Sequence, residues 1–487
     1  MKYSLCYHIV RRGSAAWLAG GVVFLVAACA PLPAKDHAPQ LAQLTGEELR
    51  PSVAASWPAD GWWKQFGDAQ LDALESRALA NNPSMATARS RIAQAAAAAG
   101  EVRASAGIDL TADAQASRQL YSANSYYPPP LGGSYTTSGL GDLNLSYDFD
   151  FWGRNRKALQ AALGERDATI AEAHGAAASI SASLAKTYWQ WQALNAHIAH
   201  IAQTQAQRKR LVTLNAGRVE AGLQARDDLH PLVADAATPS RDLVQLETQR
   251  DQTAEQLRAL LGGGSLPPLE ARPLPDVTCG VPADLHLGLL ARRPDVAAAR
   301  DRVEASLAQV DSARAAFYPD ISLSAFIGLD SLHIGSLLRA GSREMGVTPA
   351  IDLPLFDAGR LRTALDSRRA DVDAAVAQYN QSVVNAVAEV NDAVVRLDGA
   401  EREREVLGQE IDAHRRGVAG ATARAEAGLA DRMDVTRDQV ALLTSENEEV
   451  DRHSRALVAQ IDLIQALGGG YRAGDAVAVA QTNKASR

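Results

Sequence analysis

Long apolar stretches are nearly absent from this chain of 487 residues. Outside residues 15–28, no segment reaches the roughly 18 uninterrupted apolar residues that a transmembrane helix needs. Positive charge is also in deficit, because 57 acidic residues outnumber 49 Lys and Arg and leave a net charge of −8. An acidic chain is a poor partner for nucleic acid, so we expect no nucleic-acid function.

Catalytic motifs are missing as well. The chain has no H-E-x-x-H motif, no Walker loop and no paired C-x-x-C. Ser183 and Lys186 match S-x-x-K, but they lie inside a predicted helix and neither S-D-N nor K-T-G accompanies them. His197 and His200 share a helix face without a third metal ligand. We therefore predict that the protein is not an enzyme and uses no cofactor and no metal.

Residues 1–28 look like an export signal, in which a basic start precedes a short apolar core. The core ends in Val26-Ala27-Ala28-Cys29, which resembles the lipobox of bacterial lipoproteins. Cleavage before Cys29 and acylation of that cysteine are the predicted outcome, and Pro31 in place of an aspartate favours the outer membrane. The alternative is a plain secretory signal with a chance cysteine.

Cysteine is scarce, with three in the whole chain. Cys6 leaves with the signal and Cys29 is the predicted lipidation site, so Cys279 has no partner for an intrachain disulfide. Removal of the signal also takes away three positive charges and changes the net charge from −8 to −11. Packing alone must then stabilise the mature protein.

The chain contains one unit twice. Three anchors recur at an offset of 206 residues: Gly153 and Gly359, Arg218 and Arg424, and Leu261 and Leu467. Pro83 and Pro294 are 211 apart instead, so the copies differ in length within the Tyr/Pro/Gly/Ser-rich segment 121–139, a predicted surface loop. The predicted organisation is a signal peptide 1–28, a lipidated extended segment 29–66, a first repeat 67–270, a linker 271–283, a second repeat 284–471 and a flexible tail 472–487.

Each copy contains a predicted β-hairpin, at about 108–152 and at about 320–355. Leu143 to Phe151 alternate between apolar and polar side chains, which is typical of a strand, and Ile108 to Ala116 alternate in the same way. The second pair, Asp320 to Ile327 and Val347 to Leu355, is less regular because Phe326 breaks the alternation.

Helices fill the rest of each copy. One predicted helix covers 68–105 or 284–316, and a second, Arg154 to Arg218 in the first copy, is roughly 100 Å long at about 1.5 Å per residue. In the second copy, apolar residues recur at alternating threes and fours, as in a coiled coil. Pro239 should kink or interrupt the helix expected at 229–260.

The two-faced strands suit either a globular core or a membrane barrel with lipid outside and water inside. A hairpin has open edges, which lipid does not tolerate, so four strands per chain cannot seal a barrel alone. Two chains would give eight strands and three would give twelve with a wider lumen. Several copies must therefore pool their hairpins.

Several segments in the correct order resemble the outer membrane factor family of bacterial tripartite efflux and type I secretion systems, and in particular its lipoprotein branch. They are Trp62 to Phe66, Leu71 to Leu74, Tyr147 to Arg154, Leu290 to Asp295, Ala315 to Asp320 and Leu353 to Arg360. The similarity extends from about residue 57 to 471.

The resemblance implies an α+β membrane protein with four strands and long coiled helices per protomer. Three protomers would form a twelve-stranded β-barrel in the outer membrane, continued by a twelve-helix α-barrel in the periplasm. The implied function is a passive exit duct for drugs or other small solutes, loaded by an inner-membrane pump through a periplasmic adaptor. The alternatives are the adaptor itself, which the tandem repeat disfavours, and the exit duct of a type I secretion system.

The resemblance also places functional residues. The polar strand faces would line the barrel lumen through Asp109, Asp113, Asn144, Asp148, Asp150 and Asp352. Gly153, Pro354 and Gly359 would mark the junction of strand and helix, where glycine and proline permit a change of twist. Phe151 and Trp152 would lie in an aromatic girdle at the periplasmic surface or, alternatively, between the helix tops.

At the periplasmic tip, the family closes its tube with polar contacts near the turns between helices. Asp227, Asp228 and Asp434 match positions of this constriction, and Arg437 stands where some relatives have a second acidic residue. The implied gate is then a mixed Asp/Arg cluster. The alternative is that an aspartate between a glycine turn and a helix is an ordinary N-cap.

Overall fold

The structure is a computed structural model that describes residues 40–42, 54–276, 280–282 and 285–472. Its helices are α1 (Ala69–Asn81), α2 (Pro83–Ser105), α3 (Arg154–Glu220), α4 (Leu229–Leu260), α5 (Leu285–Arg292), α6 (Pro294–Ala315), α7 (Arg360–Glu426) and α8 (Arg432–Ala466). Its strands are β1 (Ala54–Ala55), β2 (Asp109–Leu120), β3 (Tyr135–Phe149), β4 (Val281–Pro282), β5 (Asp320–Ser331) and β6 (Arg343–Asp352). The predicted signal peptide, Cys29 and the predicted tail beyond Arg472 lie outside these residues.

The order of elements confirms the tandem repeat. In each half, two short helices lead to a hairpin, a long helix, a turn and a further helix. The described residues form two compact units. The sheet unit comprises Ala93–Asp167 and Arg300–Gln378, and the helical unit comprises 54–92, 168–276, 285–299 and 379–472.

The predicted single helices over 68–105 and 284–316 are wrong, because each is two helices. The breaks fall at Asn82 and Arg293, each directly before a proline. Proline lacks a backbone N–H and disfavours helical backbone in the residue before it. Asn82 is extended, and its side-chain amide donates to the Leu260 carbonyl at 2.8 Å, which ties the break to the end of α4.

The repeated Leu-Gly-Gly-Gly segments pack against these breaks. Gly262 has a φ of 84°, and a Cβ placed there would lie 2.5 Å from the Asn81 carbonyl oxygen. Gly468 has a φ of 98°, and a Cβ there would overlap the Arg292 carbonyl oxygen. Asn81 and Arg292 are equivalent positions of the repeat, so the same close approach of backbones requires glycine in both copies.

The helical unit is built around one aromatic and aliphatic core. Trp62, Leu71, Tyr188, Trp189 and Leu457 are buried in it, and they come from segments that are far apart in sequence. The Tyr188 hydroxyl donates to the Asp68 carboxylate at 2.7 Å. That carboxylate also accepts from the backbone N–H groups of the first turn of α1, so it caps the helix that follows the Trp62–Phe66 turn.

The sheet unit contains a four-stranded antiparallel sheet in the order β2–β3–β5–β6. The strands extend beyond the predicted ends at the hairpin loops. Strand β2 continues to Leu120, β3 begins at Tyr135 and β6 begins at Arg343. At its other end β6 stops at Asp352, three residues before the predicted end.

Phe326, which breaks the sequence alternation, lies on the polar side of the sheet beside a glycine. Gly346 is its direct partner in the neighbouring strand, and a Cβ at that glycine would be 2.5 Å from the phenyl ring. The ring occupies the space that a second side chain would take. This is a cross-strand arrangement of the kind in which an aromatic ring covers a glycine.

Helices α3 and α7 have 67 residues each, close to the predicted length. The predicted interruption at Pro239 is not seen, because α4 continues through it. Proline leaves the carbonyl four residues earlier, that of Asp235, without its helical donor. Arg208 on α3 donates to that carbonyl at 2.9 Å and replaces the missing bond. Among the described residues, no helix is both long and apolar enough to cross a membrane.

Candidate functional site

The four long strands sort their side chains onto two chemically different faces. The register aligns Leu110, Leu145, Ala325 and Val347 in one row on the first face. Large apolar side chains on this face are open to the surroundings, for example Val347 at 70% and Ile351 at 72% exposure. An exposed apolar surface of this extent marks contact with lipid or with another protein. We call it the apolar face.

The opposite, polar face carries most of the side chains predicted to line a lumen. Asp109, Asp113, Asn144, Asp148 and Asp352 all have the register parity of this face. Four further acidic residues on it, Asp142, Asp320, Asp330 and Glu344, were not predicted to line the lumen. Asp142 continues the alternation of β3 one step before Leu143, where the predicted strand began, so a longer strand would have included it.

The polar face brings its acidic side chains into rows. Asp113 lies opposite Asp142, and Asn144 donates to both carboxylates, at 3.1 Å and 2.9 Å. Gly328 separates Asp142 from Glu344 in the same row. Because the glycine has no side chain, negative charge dominates this level of the sheet.

Asp150 differs from the other predicted lumen residues. It follows the end of β3, and its carboxylate accepts hydrogen bonds from the backbone N–H groups of Asn155 at 3.0 Å and Arg156 at 2.8 Å. These groups belong to the first turn of α3. The side chain therefore stabilises a helix N-terminus, where a negative charge is favoured.

The junctions of strand and helix contain the predicted glycines in left-handed backbone. Gly153 and Gly359 directly precede α3 and α7, with φ of 80° and 87°. Ala358 also has a positive φ, 54°, which is unusual for a residue with a side chain. Pro354 lies two residues after β6. Hydrogen bonds from the backbone N–H groups of α7 lower the pKa of Asp357, chiefly that of Leu361.

Phe151 and Trp152 are not buried between helix tops in the protomer. Their exposed fractions are 62% and 50%. The Trp152 ring stacks on Tyr318, with centroids 4.8 Å apart, and its Nε1–H donates to the Pro319 carbonyl at 2.8 Å. The tryptophan thus joins the first repeat to the second, while one side of its ring stays exposed.

The turns after the two long helices have the same backbone design. Gly222 and Gly428 have φ of 73° and 72°. In each turn the next residue, Leu223 or Leu429, donates its backbone N–H to a carbonyl in the last turn of the helix, at 2.9 Å and 2.7 Å. This is the glycine helix end of the Schellman type, and it leaves the leucine side chain exposed.

The predicted gate residues are on the surface near these turns. Asp227 and Asp228 are exposed, and the Asp228 side chain makes no capping hydrogen bond to α4. Asp434 is also exposed and accepts from Arg437 at 3.1 Å. The capping alternative is therefore wrong for Asp228 and Asp434. The residue that caps α8 is Asp431, which accepts from the Met433 backbone N–H at 3.1 Å.

A second ion pair near the turns was not predicted from the sequence. The Arg218 guanidinium at the end of α3 forms an ion pair with Asp431 at the start of α8, so it joins the first repeat to the second. The equivalent of Asp431 in the first repeat is Ala225, so Arg424 has no matching acid there. Ala225 cannot cap a helix with its side chain. In the first repeat a 3-10 turn at Arg226–Asp228 therefore comes first, and α4 begins at Leu229, three residues after the position equivalent to the start of α8.

His197, one of the two histidines spaced like a metal pair, already has two protein partners. Its Nδ1 is 2.8 Å from Asn447 Oδ1 and its Nε2 is 3.0 Å from an Asp451 carboxylate oxygen. These contacts join α3 to α8 at one wall of a cavity of about 1040 Å³. Within the described ranges, no three His, Cys, Asp or Glu side chains are grouped so as to hold a metal ion.

A duplicated unit, a two-faced sheet and long helices ending in glycine turns define the class of protein. The family described as "Outer membrane efflux protein" matches residues 74–263 and 288–469. Together these segments cover well over half of the chain. The chain therefore belongs to the outer membrane efflux protein family, whose members are transport channels.

Named relatives agree with this family. The chain is 36% identical over 472 residues to the multidrug resistance outer membrane protein MdtP of Escherichia coli K12, covering 94% of this chain and 96% of MdtP. It is 32% identical over 483 residues to MdtQ of Escherichia coli O157:H7, with 93% and 97% covered. Among solved structures, the outer membrane protein VceC of Vibrio cholerae is 34% identical, with a TM-score of 0.76 over 85% of this chain and 100% of that one.

Proposed function

We propose that this protein is the outer membrane channel of a tripartite efflux system. It acts as a passive exit duct for drugs or other small solutes, which an inner-membrane pump loads through a periplasmic adaptor. The observation that carries the proposal is the sheet with one apolar and one acidic face, in a chain of the outer membrane efflux family. The adaptor alternative does not fit that family. No enzymatic step is required, because the pump supplies the energy elsewhere.

The sheet supports assembly from three chains. Strands β2 and β6 are its edges, and their outer backbone groups have no strand partner within the described chain. Lipid offers no hydrogen bonds to such groups, so the edges must pair with further copies. Three copies supply twelve strands, enough for a barrel with an open lumen, while two copies would give an interior filled by side chains. The apolar face then meets lipid and the polar face meets water.

Planar-bilayer recording of the purified protein tests this function. We expect a detergent-solubilised homotrimer that forms conducting pores. A species that stays monomeric and keeps its native secondary structure, or a trimer that never conducts, contradicts the proposal.

The acidic rows should give the lumen a preference for cations. Asp113, Asp142 and Glu344 repeat in each subunit, so a closed barrel contains rings of negative charge in a confined aqueous space. Asp142→Asn should shift the reversal potential in a salt gradient toward zero. Glu101→Asn, on the exposed surface of α2, is the matched control and should leave it unchanged.

We further propose that polar contacts near the turns hold the closed state of the periplasmic tip. The cluster includes Asp227, Asp228, Asp434 and Arg437, and the Arg218–Asp431 pair adds a link between the repeats. Breaking such pairs shifts a bistable element toward its other state.

Single-channel conductance tests the gate. Asp434→Ala and Asp228→Ala should raise conductance, and Arg218→Asp should raise it further, with rescue when Asp431→Arg restores the pair. Arg250→Ala, which removes an ion pair to the adjacent Asp251, should have no effect. Unchanged conductance and unchanged cation preference in all the tip variants would remove the gating role.

The adaptor should contact the same tips. Each turn exposes a leucine next to a glycine, Leu223 at 72% and Leu429 at 79%, in surroundings that are otherwise polar. Such side chains are suited to an apolar contact with a partner. Identifying the adaptor and the pump that co-purify with the wild-type protein but not with Leu223→Ser/Leu429→Ser tests this contact.

The N-terminus should carry a lipid on Cys29. The lipobox-like segment supports this, although the cysteine lies outside the described residues. Mass spectrometry of the mature N-terminal peptide should show an acylated Cys29, and Cys29→Ala should lack it. An unmodified peptide that begins at another residue would contradict the assignment.

A further inference from the structure

The apolar face of the sheet contains charge at one end only. Across its four strands, the register parity of this face includes Leu, Ile, Val, Ala, Gly, Pro, Met, aromatic and hydroxyl residues, and just two charged ones, Arg118 and Arg343. Arg118 is two residues from the end of β2, and Arg343 is the first residue of β6. Both therefore lie at the hairpin-loop end of the sheet, away from the junctions at Gly153 and Gly359.

The acidic side chains at the same end point the other way. Asp330 of β5 and Glu344 of β6 have the parity of the polar face. At this level the sheet is thus basic on its apolar face and acidic on its polar face. At the junction end, by contrast, the apolar face has no charged strand residue and ends in residues such as Phe149 and Ile351.

Both arginines are accessible for a ligand. They are exposed, and neither forms an ion pair with a carboxylate in the part of the chain that the structure describes. The Arg118 guanidinium lies over the Tyr135 ring, 5.5 Å from its centroid, which orients the planar group. Arg343 donates its Nε–H to the Ala340 carbonyl at 3.3 Å, which leaves its terminal nitrogens free to donate elsewhere.

We propose that Arg118 and Arg343 bind the phosphate groups of an anionic lipid in the outer leaflet. This inference rests on the proposed function, in which the apolar face meets lipid and the hairpin loops lie on the outside. An arginine beside lipid is unfavourable unless its charge reaches the headgroup level and finds a partner there. The guanidinium fork matches phosphate oxygens and donates two hydrogen bonds at once.

Because the arginines lie on the two edge strands, the site forms at the boundary between subunits of the trimer, where β2 of one subunit pairs with β6 of the next. Each subunit boundary then presents one Arg118 and one Arg343 to the same strip of lipid. Apolar side chains below them, such as Met345 and Val347, can contact the acyl chains.

Lipid binding to the delipidated trimer tests the proposal. The probe is lipid A with two phosphates, compared with the same lipid after dephosphorylation, and binding is measured by native mass spectrometry. Each arginine should contribute about fivefold in affinity for the phosphorylated lipid. Arg118→Gln with Arg343→Gln should then lose about 25-fold, and Arg118→Lys less than Arg118→Gln.

The matched control is Arg241→Gln with Arg416→Gln, which removes the same charge from exposed helix positions and should change affinity less than twofold. Equal affinity of the double variant and the wild type overturns the proposal. Competition by inorganic phosphate at the concentration of the lipid also overturns it, because that would reveal a site for free anions.

Planar-bilayer recording of the same preparations separates this inference from the proposed function. If the wild type forms pores but the double variant keeps its lipid affinity, the lipid-binding inference is overturned and the proposed function stands. A wild type that forms no pores overturns the proposed function, and the inference with it.

Discussion

The helical unit contains a buried carboxyl group that should make stability depend on pH. Glu75 on α1 has no exposed surface, and burial raises its pKa from the ordinary 4.5 to about 8. The Ser181 hydroxyl offsets part of this rise and the nearby Asp72 adds slightly to it. The folded protein therefore keeps a proton on Glu75 at pH values where the unfolded chain has released it.

The sign of the effect follows from this proton. Between pH 4.5 and about 8, the folded state binds more protons than the unfolded state, so stability falls as pH rises. With 1.36 kcal/mol per pKa unit, the free energy of unfolding should fall by about 4 kcal/mol between about pH 5 and about pH 8.5 from this group alone. For a chain of this length that corresponds to about 4 °C in Tm.

Thermal unfolding followed by circular dichroism at both pH values measures it. Glu75→Gln keeps the size of the side chain but cannot ionise, so its Tm should fall less between the two pH values than that of the wild type, by about 4 °C. Glu101→Gln, on the exposed surface of α2, is the control and should follow the wild type. If Glu75→Gln and the wild type lose the same Tm, Glu75 is ionised in the folded protein and the reasoning is wrong.

Three further predictions concern the same stability measurement. Gly468→Ala should destabilise the protein by more than about 3 kcal/mol, because the new Cβ overlaps a backbone carbonyl in addition to the strain of positive φ. Gly263→Ala is the control: its φ is also positive but the space around it is open, so it should cost about 1 to 2 kcal/mol. Equal losses would contradict the close approach at Gly468. Arg293→Met should cost about 2 to 3 kcal/mol of stability. The buried guanidinium donates to two carboxylates and a carbonyl, and its acidic partners are half-exposed and can be solvated when it is lost. An unchanged stability would show that these hydrogen bonds contribute nothing. Ala358→Gly should stabilise by up to about 1 kcal/mol, because alanine is strained at a φ of 54°, and a loss of stability would refute that reading.

The strand faces were predictable, whereas the strand ends were not. Alternation is a local property, so Leu143 to Phe151 identify their own apolar side. The residues before them, from Tyr135 to Asp142, include threonine, serine and glycine and give no clear alternation. They are strand because β2 provides backbone partners along the whole segment and β5 adds a second side from Gly139 onward. That condition depends on residues far away in sequence.

The tip residues illustrate the same limit. The sequence places acidic residues after each glycine turn, and it cannot tell which of them caps a helix. Capping depends on the backbone of one residue: Asp431 is extended and reaches the first-turn N–H, while Asp228 is helical and does not. The partner of Arg218 is 213 residues away in sequence, so no local pattern predicts that ion pair.

By itself, the sequence determined that the chain contains one unit twice, that each unit has a two-faced hairpin and a very long helix, and that glycine occupies the turns and junctions. These properties repeat at fixed offsets or at the period of a helix or strand, so neighbouring residues suffice to reveal them. The tertiary structure alone decided which glycines pack against the breaks before Pro83 and Pro294, which acids share a row, and which arginines lie on the apolar face. Those outcomes depend on register and close approach between distant segments, which no single stretch of sequence encodes.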